Sequence, residues 1–232
     1  MSGSEAIGGA ATAWGRALRA ELLKVVTLPA MWWSAAVAGA AAIATVMSVL
    51  QNVMDERVFG FEEIAPIWTL AVQIGFVAAG VAVAGAEHSV TPARGRLAVA
   101  RLVVLAGTGL VFASVLVGAS LAACPTTSTA ALWAGGRTVV WLTAALLLAA
   151  GLGEALRSVI GAATVAVVLV ILAPQLAMFA GDIARWLPGQ AAQIWVAAAA
   201  PQTDVTTAGL AALGWTTAAQ AAGIARLLRA DA

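Results

Sequence analysis

The chain has 232 residues, 62% of them hydrophobic and 10% charged, with a mean hydropathy of +0.97. A soluble domain carries about a quarter charged residues, so this composition excludes a cytosolic globular enzyme, a disordered chain and a nucleic-acid-binding protein. Twelve Lys and Arg against eleven Asp and Glu leave a net charge of +1, too little to steer a highly charged partner, and the class that remains is an integral membrane protein.

Taken in chain order, the first element is predicted over residues 13–27. At 100° per residue, Trp14, Leu18, Leu22 and Val25 fall within an arc of about 80°. Arg16, Arg19 and Lys24 point away from that arc and Glu21 sits at its edge. This pattern predicts an amphipathic helix on the inner membrane surface, its apolar face in lipid, with Pro29 allowing a bend into the first span. Uncharged stretches then predict six transmembrane helices, over 30–51, 64–86, 101–123, 137–153, 158–180 and 206–226, since a helix needs about 20 apolar residues to cross the hydrocarbon core. The fourth is short, closed in by Arg137 and Glu154. Trp186–Thr203 is uncharged but broken by Leu187-Pro188-Gly189 and by Pro201, and reads as a re-entrant or interfacial outer segment. The predicted fold class is all-α and polytopic, a single transmembrane domain over 1–232.

An even number of spans places both termini on one side. With that side cytoplasmic, Arg16, Arg19, Lys24, Arg94, Arg96, Arg101, Arg157, Arg226 and Arg229 lie inside, and only Arg57, Arg137 and Arg185 outside. Nine against three is a positive-inside bias. Trp32, Trp68, Trp133 and Trp186 stand near span ends, as interfacial anchors do. The first apolar run is too long for a signal-peptide core, so the first span is expected to be retained. A single lysine among twelve basic residues, with abundant Ala and Gly, fits a GC-rich bacterial coding sequence and hence a bacterial cell membrane.

Few residues here can carry chemistry. Lys24, the only lysine, lies in Glu21-Leu22-Leu23-Lys24-Val25 without the glycine loop of a phosphate-binding site, so ATP hydrolysis is expected in a separate polypeptide. One histidine, His88, and one cysteine, Cys124, build neither a metal site nor a nucleophile–base pair. No catalytic residue, metal or cofactor is expected. Glu154 is the one acidic candidate at membrane depth, where a charge costs about 2.5–3.5 kcal/mol on insertion scales. Its i,i+3 spacing to Arg157 favours an ion pair at the turn between spans four and five. Gly75, Gly80, Gly85, Gly107, Gly109, Gly151 and Gly153 permit close helix contact. Thr69 and Gln73 in the second span and Gln175, after Pro174, in the fifth either line a substrate path or hydrogen-bond between helices.

After the second span, Glu87-His88-Ser89-Val90 leads into Thr91-Pro92-Ala93-Arg94. Threonine before proline is a helix N-cap and first-turn signal, so a short charged helix is expected from Pro92, carrying Arg94, Arg96 and Arg101. It either docks a soluble partner or only fixes the topology.

The order of these features resembles the permease subunits of type-2 ABC exporters, especially the small six-span kind of actinobacteria. Arg19-Ala-Glu21-Leu-Leu-Lys24 through Pro29 to Trp32-Trp33 is similar to their elbow helix and first span, and Gly85-Ala-Glu87-His-Ser-Val-Thr91 to the segment after their second span. Gly151-Leu-Gly153-Glu154-Ala-Leu-Arg157-Ser158 is similar to their turn between spans four and five, Trp186-Leu187-Pro188-Gly189 falls at their outer hairpin, and the end from Arg226 to Ala232 is similar to their basic tail. The stretch after Thr91 is shorter than theirs. The resemblance implies a permease domain that encloses a path with a second permease subunit, identical or paralogous, above soluble ABC ATPase subunits that bind the ATP. It assigns Glu87 and Thr91 to the contact with the ATPase and Glu21 and Lys24 to the elbow. Charge and position add His88, Arg94 and Arg96. The residues alone also leave open an ion-coupled secondary transporter using Glu154 and a non-transporting membrane scaffold or immunity protein.

Overall fold

The computed structural model describes residues 3–52, 60–87, 95–197 and 202–230. Their regular elements are all helical: α1 (Gly3–Thr27), α2 (Pro29–Asn52), α3 (Phe61–Glu87), α4 (Gly95–Ala123), α5 (Thr129–Leu156), α6 (Val159–Ala166), a π-helical stretch (Val167–Leu172), α7 (Ala173–Ala180), a 3-10 turn (Gly181–Trp186), α8 (Pro188–Val196) and α9 (Gln202–Ala230). Among the described residues, four helices are long and apolar enough to cross a membrane: α2, α3, α4 and α5.

Each boundary has a local cause. Leu28 separates α1 from α2, and Pro29 occupies the first position of α2, where its missing N–H costs nothing. Ser128 caps α5 by accepting from the Ala131 N–H at 2.9 Å, and Ser158 caps α6 by accepting from the Gly161 N–H at 3.1 Å. Arg157 closes α5 in the left-handed region, with φ 50° and ψ 26°. From Val159 to Ala180 the chain stays helical, passing through the π-helical stretch.

The fourth span is not short. Arg137, expected to end it, lies inside α5, because its guanidinium donates to the Trp195 carbonyl at 3.3 Å and the helix continues outward to the Ser128 cap. The third span likewise begins earlier than 101: α4 starts at Gly95 and its apolar span at Ala98.

At the centre lie α3 and α5. Their apolar windows are both 67% buried, against 22% for α2 and 28% for α4. The two run parallel: Thr69 meets Thr138, and a Cβ on Gly80 would collide with the backbone at Leu146 and Ala150. Helix α9 runs parallel to α5 on its other side, as Thr216 donates to the Ala144 carbonyl and Gln220 to that of Leu147. Here Gly151 permits the approach, since a Cβ there would stand 2.7 Å from the Ala219 carbonyl carbon. Of the glycines predicted to make close contacts, Gly107 has nothing within 4 Å. Close approach at these seams therefore depends on small residues, as expected where lipid removes the hydrophobic drive between helices.

Of the expected anchors, Trp32, Trp133 and Trp186 are exposed, but Trp68 is wholly buried, edge-on to Phe61 with ring centroids 5.6 Å apart. The segment of residues 186–203, expected to be re-entrant or interfacial, contains α8, which opens at Pro188. Gly189 sets α8 directly against the π-helical stretch, where a Cβ would strike the Val170 carbonyl.

Candidate functional site

Among the described residues, two clusters of buried polar side chains join helices, one charged and one neutral. The charged cluster joins three elements at one end of the bundle. Glu21 of α1 is buried, although the periodicity of α1 placed it at the edge of a lipid-facing arc, while Leu22, Leu23 and Val26 are exposed. The bundle-facing side of α1 is thus the one that carries Glu21 and Val25. Lys24 donates to both Glu21 carboxylate oxygens, at 3.0 and 3.1 Å.

Glu21 also acts electrostatically on Arg101 of α4, whose guanidinium pairs with Glu154 of α5. Arg101 and Glu154 are 4% and 6% exposed. Glu154 therefore does not pair with its sequence neighbour Arg157. The left-handed backbone at Arg157 ends the helical geometry on which an i,i+3 pair depends, and Arg101 supplies the countercharge from the facing helix. On the far side, Gly223 of α9 gives the Glu154 side chain its space, since a Cβ there would lie 2.8 Å from a carboxylate oxygen. Lys24, Glu21, Arg101 and Glu154 thus form a chain of alternating charge from the amphipathic helix into the bundle. Arg101 and Glu154 were legible only as charges at span ends, because nothing in the spacing of 101 and 154 signals contact.

The neutral cluster lies deeper. Thr69 and Gln73 of α3 are fully buried. The Thr69 and Thr138 hydroxyls are 3.4 Å apart, Trp141 Nε1 donates to Gln73 Oε1 at 2.8 Å, and Gln73 Nε2 donates to the Val170 carbonyl at 3.3 Å. That carbonyl stands four residues before Pro174, which lacks the N–H an α-helix would supply to it. Gln73 thus satisfies a backbone acceptor that proline leaves open, in the manner that lets membrane helices tolerate proline. Of the two readings open for Thr69 and Gln73, the single chain shows hydrogen bonding between helices. Gln175 is exposed on α7 and takes no part.

Glu87 ends α3 and Arg96 stands in the first turn of α4. His88, Thr91 and Arg94, with the helix start expected at Pro92, lie outside the described residues. The structure thus brings Glu21 and Lys24 together with Arg101 and Glu154, and Thr69 with Gln73. Comparison with protein-family models, with curated proteins and with solved structures gave no match.

Proposed function

We propose that this chain is the membrane-spanning permease subunit of an ATP-driven ABC exporter of the bacterial cell membrane, working with a second permease subunit and a separate soluble ATPase. In this arrangement α1 is the elbow on the cytoplasmic surface, α2 to α5 are four spans, the run from Val159 to Ala180 is the fifth and α9 the sixth. Both termini are cytoplasmic. The parallel runs of α3, α5 and α9 are compatible with that topology, and the charge bias supports it.

The observation that carries the proposal is the charged cluster at one end of the bundle, where Lys24 pairs with Glu21 on α1, the Glu21 charge acts on Arg101, and Arg101 of α4 pairs with Glu154 of α5. A surface helix held only by its apolar face slides in lipid. One tied by charge to two spans moves them when it moves. The tie lies at the end of the bundle where α3 stops at Glu87 and α4 starts at Gly95, the end assigned to the ATPase contact through Glu87, His88, Thr91, Arg94 and Arg96. Gln175 remains a path-lining candidate, exposed where a second subunit can cover it, whereas Thr69 and Gln73 are engaged within one subunit. The ion-coupled alternative needs Glu154 free to exchange an ion, and its pairing with Arg101 disfavours that role.

The experiment is ATP hydrolysis by the full chain purified from its native membrane, before and after its soluble partners are stripped away. Hydrolysis is expected in the complex, none in the chain alone, and uncoupling or loss of assembly in Glu87→Arg. Ion-gradient-driven flux through the purified chain alone in vesicles would overturn the proposal.

A further inference from the structure

A second charged feature lies beside the α5–α9 seam and plays no part in the tie to α1. A cavity of about 710 Å³ opens there, lined by Ala155, Arg157, Ala222, Ala225, Arg226 and Arg229. Three arginines and three alanines form its wall, and no carboxylate among the described residues lines it. Glu154, one residue from Ala155, is turned to Arg101. The space is open to the surface, since five of the six lining residues are exposed.

The arginines are placed by backbone constraints. Arg157 takes the left-handed conformation at the end of α5, uncommon for a residue with a side chain. Arg226 lies over that same end and donates to the Ala155 carbonyl, one of the acceptors a helix C-terminus leaves open. Arg229 follows it by three residues on α9, hence on the same face. Among the described residues, no hydrogen bond or ion pair engages the Arg157 or Arg229 side chain. Two guanidinium groups therefore face a shared space with their donors unused, and guanidinium is the group that binds phosphate bidentately.

Depth narrows the source of the phosphate. The apolar window of α5 ends at Leu156, one residue before Arg157. Leu156 and Leu228, next to the arginines in sequence, are 40% and 54% exposed. Cationic donors at the limit of an apolar span, flanked by exposed leucines, match a molecule with an anionic head and a hydrocarbon tail.

We infer that the Arg157–Arg226–Arg229 cavity is a binding site for a phosphate-bearing anion, supplied by the headgroup of an anionic phospholipid. The site needs only that the chain is embedded in a membrane, and stands whether or not an ATPase partner exists.

The test uses the full-length chain in detergent and native mass spectrometry with phosphatidylglycerol, phosphatidylcholine or inorganic phosphate as probe. Phosphatidylglycerol is expected to be retained over phosphatidylcholine. Replacing two of the arginines, Arg157→Gln with Arg229→Gln, is expected to weaken that retention about thirtyfold. Arg226, which closes the end of α5, stays in place. Equal thermal unfolding of wild type and variant in phosphatidylcholine checks the fold. Should the variant fail to fold, Arg157→Lys with Arg229→Lys keeps the charge but removes the bidentate fork, and is expected to show intermediate retention. Equal retention by wild type and either variant would overturn the site. Displacement of the lipid by inorganic phosphate at equal concentration would overturn the lipid source.

Discussion

The charged and neutral clusters solve one problem at two depths, and their difference shows how this chain spends its few polar residues. At one end of the bundle, Lys24 pairs with Glu21 on α1, the Glu21 charge acts on Arg101, and Arg101 of α4 pairs with Glu154 of α5. Deeper in, α3, α5 and the π-helical stretch are joined by Thr69, Thr138, Gln73 and Trp141 without a formal charge. Inserting a charge near the bilayer centre costs about 2.5–3.5 kcal/mol on biological scales, whereas neutral hydrogen bonds between membrane helices contribute about 0.6 kcal/mol on average. The charged tie therefore stands near the ends of α4 and α5, away from the middle of their apolar spans. The weak ties occupy the middle.

The contrast predicts unequal responses to mutation. Arg101→Met strands Glu154 as an unpaired buried charge and is expected to cost about 3–5 kcal/mol, whereas Arg101→Met combined with Glu154→Leu removes both charges and is expected to restore most of that. Thermal unfolding of the purified chain in detergent measures both. Equal losses in the single and double variants would show that the pair acts through something other than its charge.

Next in size is the seam beside the charged cluster. Gly151→Val forces a side chain into the Ala219 backbone and is expected to cost about 1–3 kcal/mol. Gly107→Val, at a position with open space around it, is expected to leave unfolding unchanged. Gln73→Leu leaves the Trp141 N–H and the Val170 carbonyl without their partner and is expected to cost about 0.6–1.7 kcal/mol. A loss as large as that of Arg101→Met would erase the distinction between the two depths.

The smallest effect is kinetic. Cys124, the only cysteine, follows the end of α4. Burial, and secondarily the charge of Glu62, push its thiol above its ordinary value. The thiolate is the reacting form, so a membrane-impermeant maleimide applied outside intact cells is expected to label it slowly at neutral pH. The rate should still climb at alkaline pH where a free thiol in solution has levelled off. Labelling from the cytoplasmic side alone would invert the proposed topology.

Much of this architecture was legible in the sequence, because lipid imposes a length on each uncharged run. Runs bounded by charges located α2 and α3 to within a few residues. That same rule misplaced the start of α5, because it treats Arg137 as a boundary and cannot see that the Trp195 carbonyl accepts from it. Spacing on one helix suggested Glu154 with Arg157, since i,i+3 neighbours are visible in a sequence. A partner 53 positions away on a facing helix, such as Arg101, is not. Trp68 was misread for the same reason: distance from a span end is a sequence property, but burial against Phe61 is not. Gln73 and Pro174 both stand out within apolar spans of the sequence, but only the fold brings Gln73 to the Val170 carbonyl that Pro174 frees.

In the proposed permease, α1 is a lever held by charge. The most direct test is the ATP hydrolysis rate of the assembled complex, compared between the native chain and Glu21→Gln at equal assembly. A lever held through Glu21 predicts a complex that still assembles but hydrolyses ATP without moving cargo, or hydrolyses it more slowly. Hydrolysis and transport both unchanged in Glu21→Gln would contradict it.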